Sequence, residues 1–123
     1  MYKRNSILMD KSKAFALRII KMYRYLCEEK KEFVLSKQVL RSGTSVGANI
    51  REGFHGQSAA DFIAKLSISQ KEAAETMYWL ELLHESGYIE DSSFESIYAD
   101  CEELMKLLTS SLKKKKASLT PNT

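Results

Sequence analysis

Proline occurs once in this 123-residue chain, at Pro121, so 120 consecutive residues contain none. That absence favours long helices, because an interior proline costs a helix about 3 kcal/mol. Cysteine occurs only as Cys27 and Cys101, too few for a disulfide framework, and both are expected to be free thiols. The two histidines, His55 and His84, stand in different segments. No Glu-x-x-His pairing on two helices accompanies them, so no metal centre is expected. The longest stretch without a charge is residues 42–50, far short of the roughly 20 residues that span a bilayer. Lys3, Arg4, Asp10, Lys11, Lys13 and Arg18 interrupt the first twenty residues. They leave no apolar core for a secretory signal, so a cytoplasmic location is the expectation.

What is present is helical periodicity. A first helix is predicted over residues 10–29, with Asp10 as N-cap. Phe15, Ala16, Ile19, Ile20, Met22, Tyr23, Leu26 and Cys27 share one half of its wheel. Lys11, Lys13, Arg18, Lys21 and Arg24 take the other half, with Tyr25 among them. A second helix, 36–54, aligns Val39, Leu40, Val46, Ile50 and Phe54. Gly43 and Gly47 each lower its propensity by about 1 kcal/mol relative to alanine, which points to a kink or a close helix contact. A third helix, to about residue 86, is capped by Ser58 and stopped by Gly87. Its apolar residues cover more than one stripe, which predicts a second packing surface and an oligomer larger than a dimer. A fourth helix follows a Ser92/Glu95 capping box. The fold class is therefore all-α, an antiparallel up-and-down four-helix bundle over residues 1–112. Residues 113–123, with four consecutive lysines, read as a basic disordered tail.

Charge is asymmetric. Residues 1–51 hold 12 basic and 4 acidic side chains, and residues 52–112 hold 3 basic and 12 acidic. The basic half can meet a polyanion, or the halves can complement each other within the domain or between subunits. The candidate nucleic-acid-binding set is Arg18, Lys21 and Arg24 on the first helix with Lys37, Arg41 and Arg51 on the second. The plain reading of such faces is solvated surface. No helix-turn-helix, zinc-finger or RNA-recognition signature accompanies them, so binding to RNA or DNA would be weakly sequence-specific. Tyr25, among cations, is a better candidate for base stacking than Tyr78 or Trp79, which read as core. Asn49 reads as a core amide that bonds a facing backbone or Glu75. The Ser42–Gly47 run lacks the Gly-Lys-Ser/Thr ending of a phosphate loop and follows no strand. No acid, base, metal or cofactor set converges, so an enzyme is not expected. The alternative is a protein–protein scaffold with an acidic partner and no direct nucleic-acid contact.

The run from Gln38 through Gly53, and the later stretch from Asp61 through Thr76 followed by Tyr78-Trp79-Leu80, resemble the four-helix-bundle family of 23S rRNA intervening-sequence proteins. That family includes the accessory variability proteins of diversity-generating retroelements. The resemblance implies a ring-like homopentamer with a basic surface. For retroelement members it further implies nucleic acid and a reverse transcriptase as partners. It marks Ser45, Asn49, Glu52 and Glu75 as assembly and core positions. Arg51 stands where the family more often has alanine, which adds a charge.

Overall fold

The computed structural model describes residues 2–119, with side chains from Ile7 onward. Its four helices are α1 (Tyr2–Glu28), α2 (Leu35–Phe54), α3 (Ala59–Glu85) and α4 (Asp91–Leu119). Cross-helix contacts fix their order and direction. Gly43 faces Ile19 and Gly47 faces Ser12, so α2 runs antiparallel to α1. Ser69 donates to the Val46 carbonyl and Thr76 to the Ser42 hydroxyl, so α3 runs antiparallel to α2. Gln70 bonds Thr109 and Tyr98 bonds Glu81 across α3 and α4. Lys11 and Arg18 reach Glu103 and Asp100, which closes α4 back onto α1. Each helix packs on its two neighbours around one core, in which Phe15, Ile19, Leu26, Val46, Ile50, Leu66, Leu80 and Leu108 are all but inaccessible.

Three boundaries differ from the sequence reading. The first helix begins at Tyr2, not Asp10, because Leu8 is buried at 3% exposure and Met9 packs against the core. Tertiary packing overrides the local capping preference of Asp10, which stays exposed within the helix. Helix α4 begins at Asp91, so Ser92 lies inside its first turn. At the other end, residues 113–119 are helix and not a disordered tail. Lysine is a good helix former, a cation in the last turn suits the helix dipole, and buried Leu112 anchors the run. Residues 120–123 of the expected tail lie outside the described residues. The cap at Ser58 is as expected, since its hydroxyl accepts from the Asp61 amide at 3.1 Å.

Helix α2 passes unbroken through Gly43 and Gly47, which serve close approach. A Cβ at Gly43 would lie 2.8 Å from Cγ1 and 2.9 Å from Cγ2 of buried Ile19, a stiff β-branched side chain. At Gly47 the nearest atoms belong to Ser12, at 3.3–3.4 Å. The two alanine variants should therefore differ in sign. Gly43→Ala loses about 1–2 kcal/mol to overpacking, net of its helix gain. Gly47→Ala gains up to about 1 kcal/mol. Urea unfolding of both checks this, and equal effects would refute the contact reading.

Candidate nucleic-acid interface

The six cations singled out from the sequence do not form one patch. Arg18 leaves it toward α4: its guanidinium bonds Asp100 at 2.6 Å and the Ser96 hydroxyl at 3.0 Å. Lys21 lines a groove on that same α1–α4 side, with Tyr25, Ile89 and Glu90. Arg41 leaves it toward α3, where it meets Glu72 at 3.3 Å and Glu75 at 2.5 Å. Carboxylates supplied by the acidic half of the chain thus neutralise Arg18 and Arg41. A sequence period read one helix at a time places side chains around that helix, but it does not say which neighbour each will meet.

Arg24, Lys37 and Arg51 remain, and the structure adds Lys13. Lys13 and Arg51 line the same shallow groove between α1 and α2, over Ala16, Thr44, Gly47 and Ala48. All four cations are exposed, and among the described residues none of them makes an ion pair. At roughly 100° per residue, Lys13 and Arg24 project within about 20° of each other on α1, and Lys37 and Arg51 within about 40° on α2. The antiparallel register sets Arg51 beside Lys13 at one end of the stripe. At the other end the Cys27–Ser36 contact brings the Arg24 and Lys37 turns together. The stripe is about 16 Å long from Lys13 to Arg24, at 1.5 Å per residue. Leu17, 58% exposed, projects between them, and Asp10 and Glu28 are exposed on the outward side of α1. Lys13 carries a legible signal, its place on the cationic back of the first helix. Its neighbour across the groove depends on the α1–α2 register.

The α2–α3 side is a polar network with an apolar margin. Glu75 accepts from the Trp79 indole at 2.9 Å as well as from Arg41. The Trp79 indole N–H, and after it the Arg41 guanidinium, hold the Glu75 carboxyl below the usual carboxylate range. Asn49 is half-buried and donates to the Ser45 carbonyl of its own helix at 2.9 Å, so the expected bond to Glu75 or a facing backbone is not made. Glu52 pairs with Lys65 at 2.8 Å. Trp79 is half-buried, whereas Tyr78 is 54% exposed, outside the core where it was expected. Tyr25 is 39% exposed, and the Lys30 ammonium lies 5.9 Å from its ring centre.

Both cysteines are free thiols, and Cys101 is buried. Burial, and after it the charges of Glu102 and Asp100, push the Cys101 thiol up to about 12. Cys27 is half-buried beside Ser36. Among the described residues, no group of three or more His, Cys, Asp or Glu side chains could hold a metal ion. No described helix is long and apolar enough to cross a membrane.

The fold and much of the sequence recur in a solved structure. A protein of unknown function from the S23 ribosomal protein family of Bacteroides thetaiotaomicron, known from a crystal structure at 1.70 Å resolution, is 55% identical. It superposes with a TM-score of 0.88, over 89% of this chain and 98% of that one. Among curated proteins, none matches. The model of the 23S rRNA-intervening sequence protein family matches residues 4–110, and the chain belongs to that family.

Proposed function

We propose that this chain is a non-enzymatic, oligomeric nucleic-acid-binding adaptor that grips phosphate backbone along the α1–α2 groove. The observation that carries this reading is the stripe of Lys13, Arg24, Lys37 and Arg51, which keeps its charge while neighbouring Arg18 and Arg41 are neutralised. Four cations over about 16 Å match about five phosphates of one strand at 3.4 Å each. No helix-turn-helix, zinc-finger or RNA-recognition motif accompanies the stripe, so affinity comes mainly from charge and sequence discrimination is weak. Assembly into a ring-like homopentamer, which the family resemblance implies, is supported by Ile68 and Tyr78, large side chains left exposed on α3. It would repeat the stripe around the ring. The resemblance likewise implies a reverse transcriptase partner if the gene lies in a retroelement.

An electrophoretic shift assay with RNA and DNA tests the reading, alongside sedimentation of the free chain. Binding should appear at 50 mM salt and weaken about a hundredfold by 200 mM, as four phosphate contacts predict. Absence of any shift at low salt with both nucleic acids refutes it. A protein partner retained after nuclease treatment, with no shift, would favour the scaffold alternative. A monomer in sedimentation would remove the assembly.

A further inference from the structure

At the end of the bundle where α2 passes into α3, the helices leave an open groove of about 720 Å³, a size usual for small-molecule sites. Its floor is apolar, built from Leu8, Phe54, Phe62 and Leu107. Phe54 and Phe62 meet edge to face, with ring centres 5.1 Å apart. Its wall on α4 is polar. Ser110, Ser111, Lys114 and Lys115 line it, and Lys115 lies 5.4 Å from the Phe62 ring centre. Ser110 and Ser111 make no side-chain hydrogen bond among the described residues. No carboxylate lines the groove among the described residues, and Asp61, at the start of α3, accepts from the Gln57 amide in the α2–α3 turn.

We infer that this groove takes one unstacked base of a single-stranded nucleic acid, with Lys115 swinging off the Phe62 ring to hold, together with Lys114, the flanking phosphates. The inference rests on the nucleic-acid reading above and names the form of nucleic acid that reading leaves open. Three features carry it. Aromatic rings beside ammonium groups are the pairing that single-strand sites use, because every base has a face to stack and a phosphate beside it. The basic stripe leads into the groove: Arg51 and Phe54 are neighbours at i and i+3 on α2, so a strand held by Lys13 and Arg51 arrives at the aromatic floor. The serine hydroxyls separate a base from an anionic amphiphile such as a fatty acid. A base edge can bond the Ser110 and Ser111 hydroxyls, whereas an acyl chain has no polar atom along its length to use them.

The test uses the full chain and a fluorescent single-stranded DNA oligonucleotide in three arms, with a fluorescent fatty acid on wild type as a fourth. Wild type is titrated with the oligonucleotide, with a version carrying abasic sites, and with the matching duplex. Ser110→Leu, an exposed site where a branched aliphatic chain crowds the mouth without entering the core or offering a ring to stack on, is titrated likewise. Lys114→Glu/Lys115→Glu is the third, with circular dichroism checking the fold of each variant. The single strand should bind about tenfold tighter than its abasic version, and both variants should erase that preference while duplex binding persists. Equal affinity for the intact and abasic strands, or a preference unchanged in Ser110→Leu, overturns the base pocket and leaves the backbone-binding reading standing. Absence of binding to every nucleic acid at low salt overturns both. Displacement of a fluorescent fatty acid by oleate but not by the oligonucleotide assigns the groove to an amphiphile and also overturns the inference.

Discussion

Glutamate at Lys13, Arg24, Lys37 and Arg51 together should abolish the mobility shift at 50 mM salt and leave the bundle folded. The size of the loss follows from counterion release. Each phosphate contact adds about 0.9 to the slope of log K against log salt for duplex DNA and about 0.7 for single strands. Four lost contacts remove a slope of about 3–4, and reversed charge adds repulsion to that loss. The bundle should stay folded, because these side chains are exposed and make no ion pair among the described residues, and surface substitutions usually cost within about 0.5 kcal/mol each, so about 2 kcal/mol at most for the four. Arg18→Glu/Arg41→Glu is the matched control. It sets like charges against Asp100 and against Glu72 and Glu75. That variant should lose about 1 kcal/mol of stability, discounted for partial exposure, and keep most of its nucleic-acid affinity. The opposite outcome, with the control losing binding and the quadruple variant retaining it, would move the interface off the α1–α2 groove.

That contrast marks where the sequence could be read and where it could not. The helices and the core were legible because Phe15, Ile19, Leu26, Val39, Val46 and Ile50 recur at a local period that burial simply obeys. Ser58 was legible as a cap because its partner, the Asp61 amide, is three residues away. Gly43 and Gly47 announced a close contact by their cost to the helix, yet nothing local named Ile19 and Ser12 as what they admit. The same gap governs the cations. Arg18 and Arg41 look like Arg24 and Lys37 along the chain. They differ only in having Asp100, Glu72 and Glu75 within reach, residues 31 to 82 positions away. Two of the differences at helix ends share a contribution from core contacts. Asp10 and the lysine run carry local signals for a start and for a tail, and the core contacts of Leu8 and Leu112 outweigh both.

Glu32 is the residue that local rules miss most completely, and its loss should cost the fold more than that of any surface charge. Lys31, at φ +54°, turns the chain between α1 and α2. The Glu32 side chain then folds over the start of α2 and accepts from the Val34, Leu35 and Ser36 amides at 3.2, 2.9 and 2.7 Å. Three amides that lack helical carbonyl partners are thereby satisfied by one carboxylate that is only 8% exposed. Burial alone would push this carboxyl up. The amides of Leu35, Ser36 and Val34 outweigh burial and hold it below its ordinary value. Glu32→Ala leaves those donors without a partner at a nearly buried site, so it should destabilise by about 2–3 kcal/mol. For a chain of this size that lowers the melting temperature by about 6–12 °C. The loss should also depend on pH, with a definite sign. The folded carboxyl titrates below the unfolded one, which sits near 4.3. As acid is added, the unfolded chain therefore takes up the proton first. The stabilisation is complete above about pH 4.3 and drains away as pH falls through the folded value. Glu32→Gln, which has no charge to lose, should melt below wild type at pH 7, and the gap should narrow steadily below about pH 4. Thermal unfolding of both proteins between pH 3 and 7 measures that gap. A gap that stays constant across the range would mean that the carboxylate charge at the head of α2 contributes nothing to the fold.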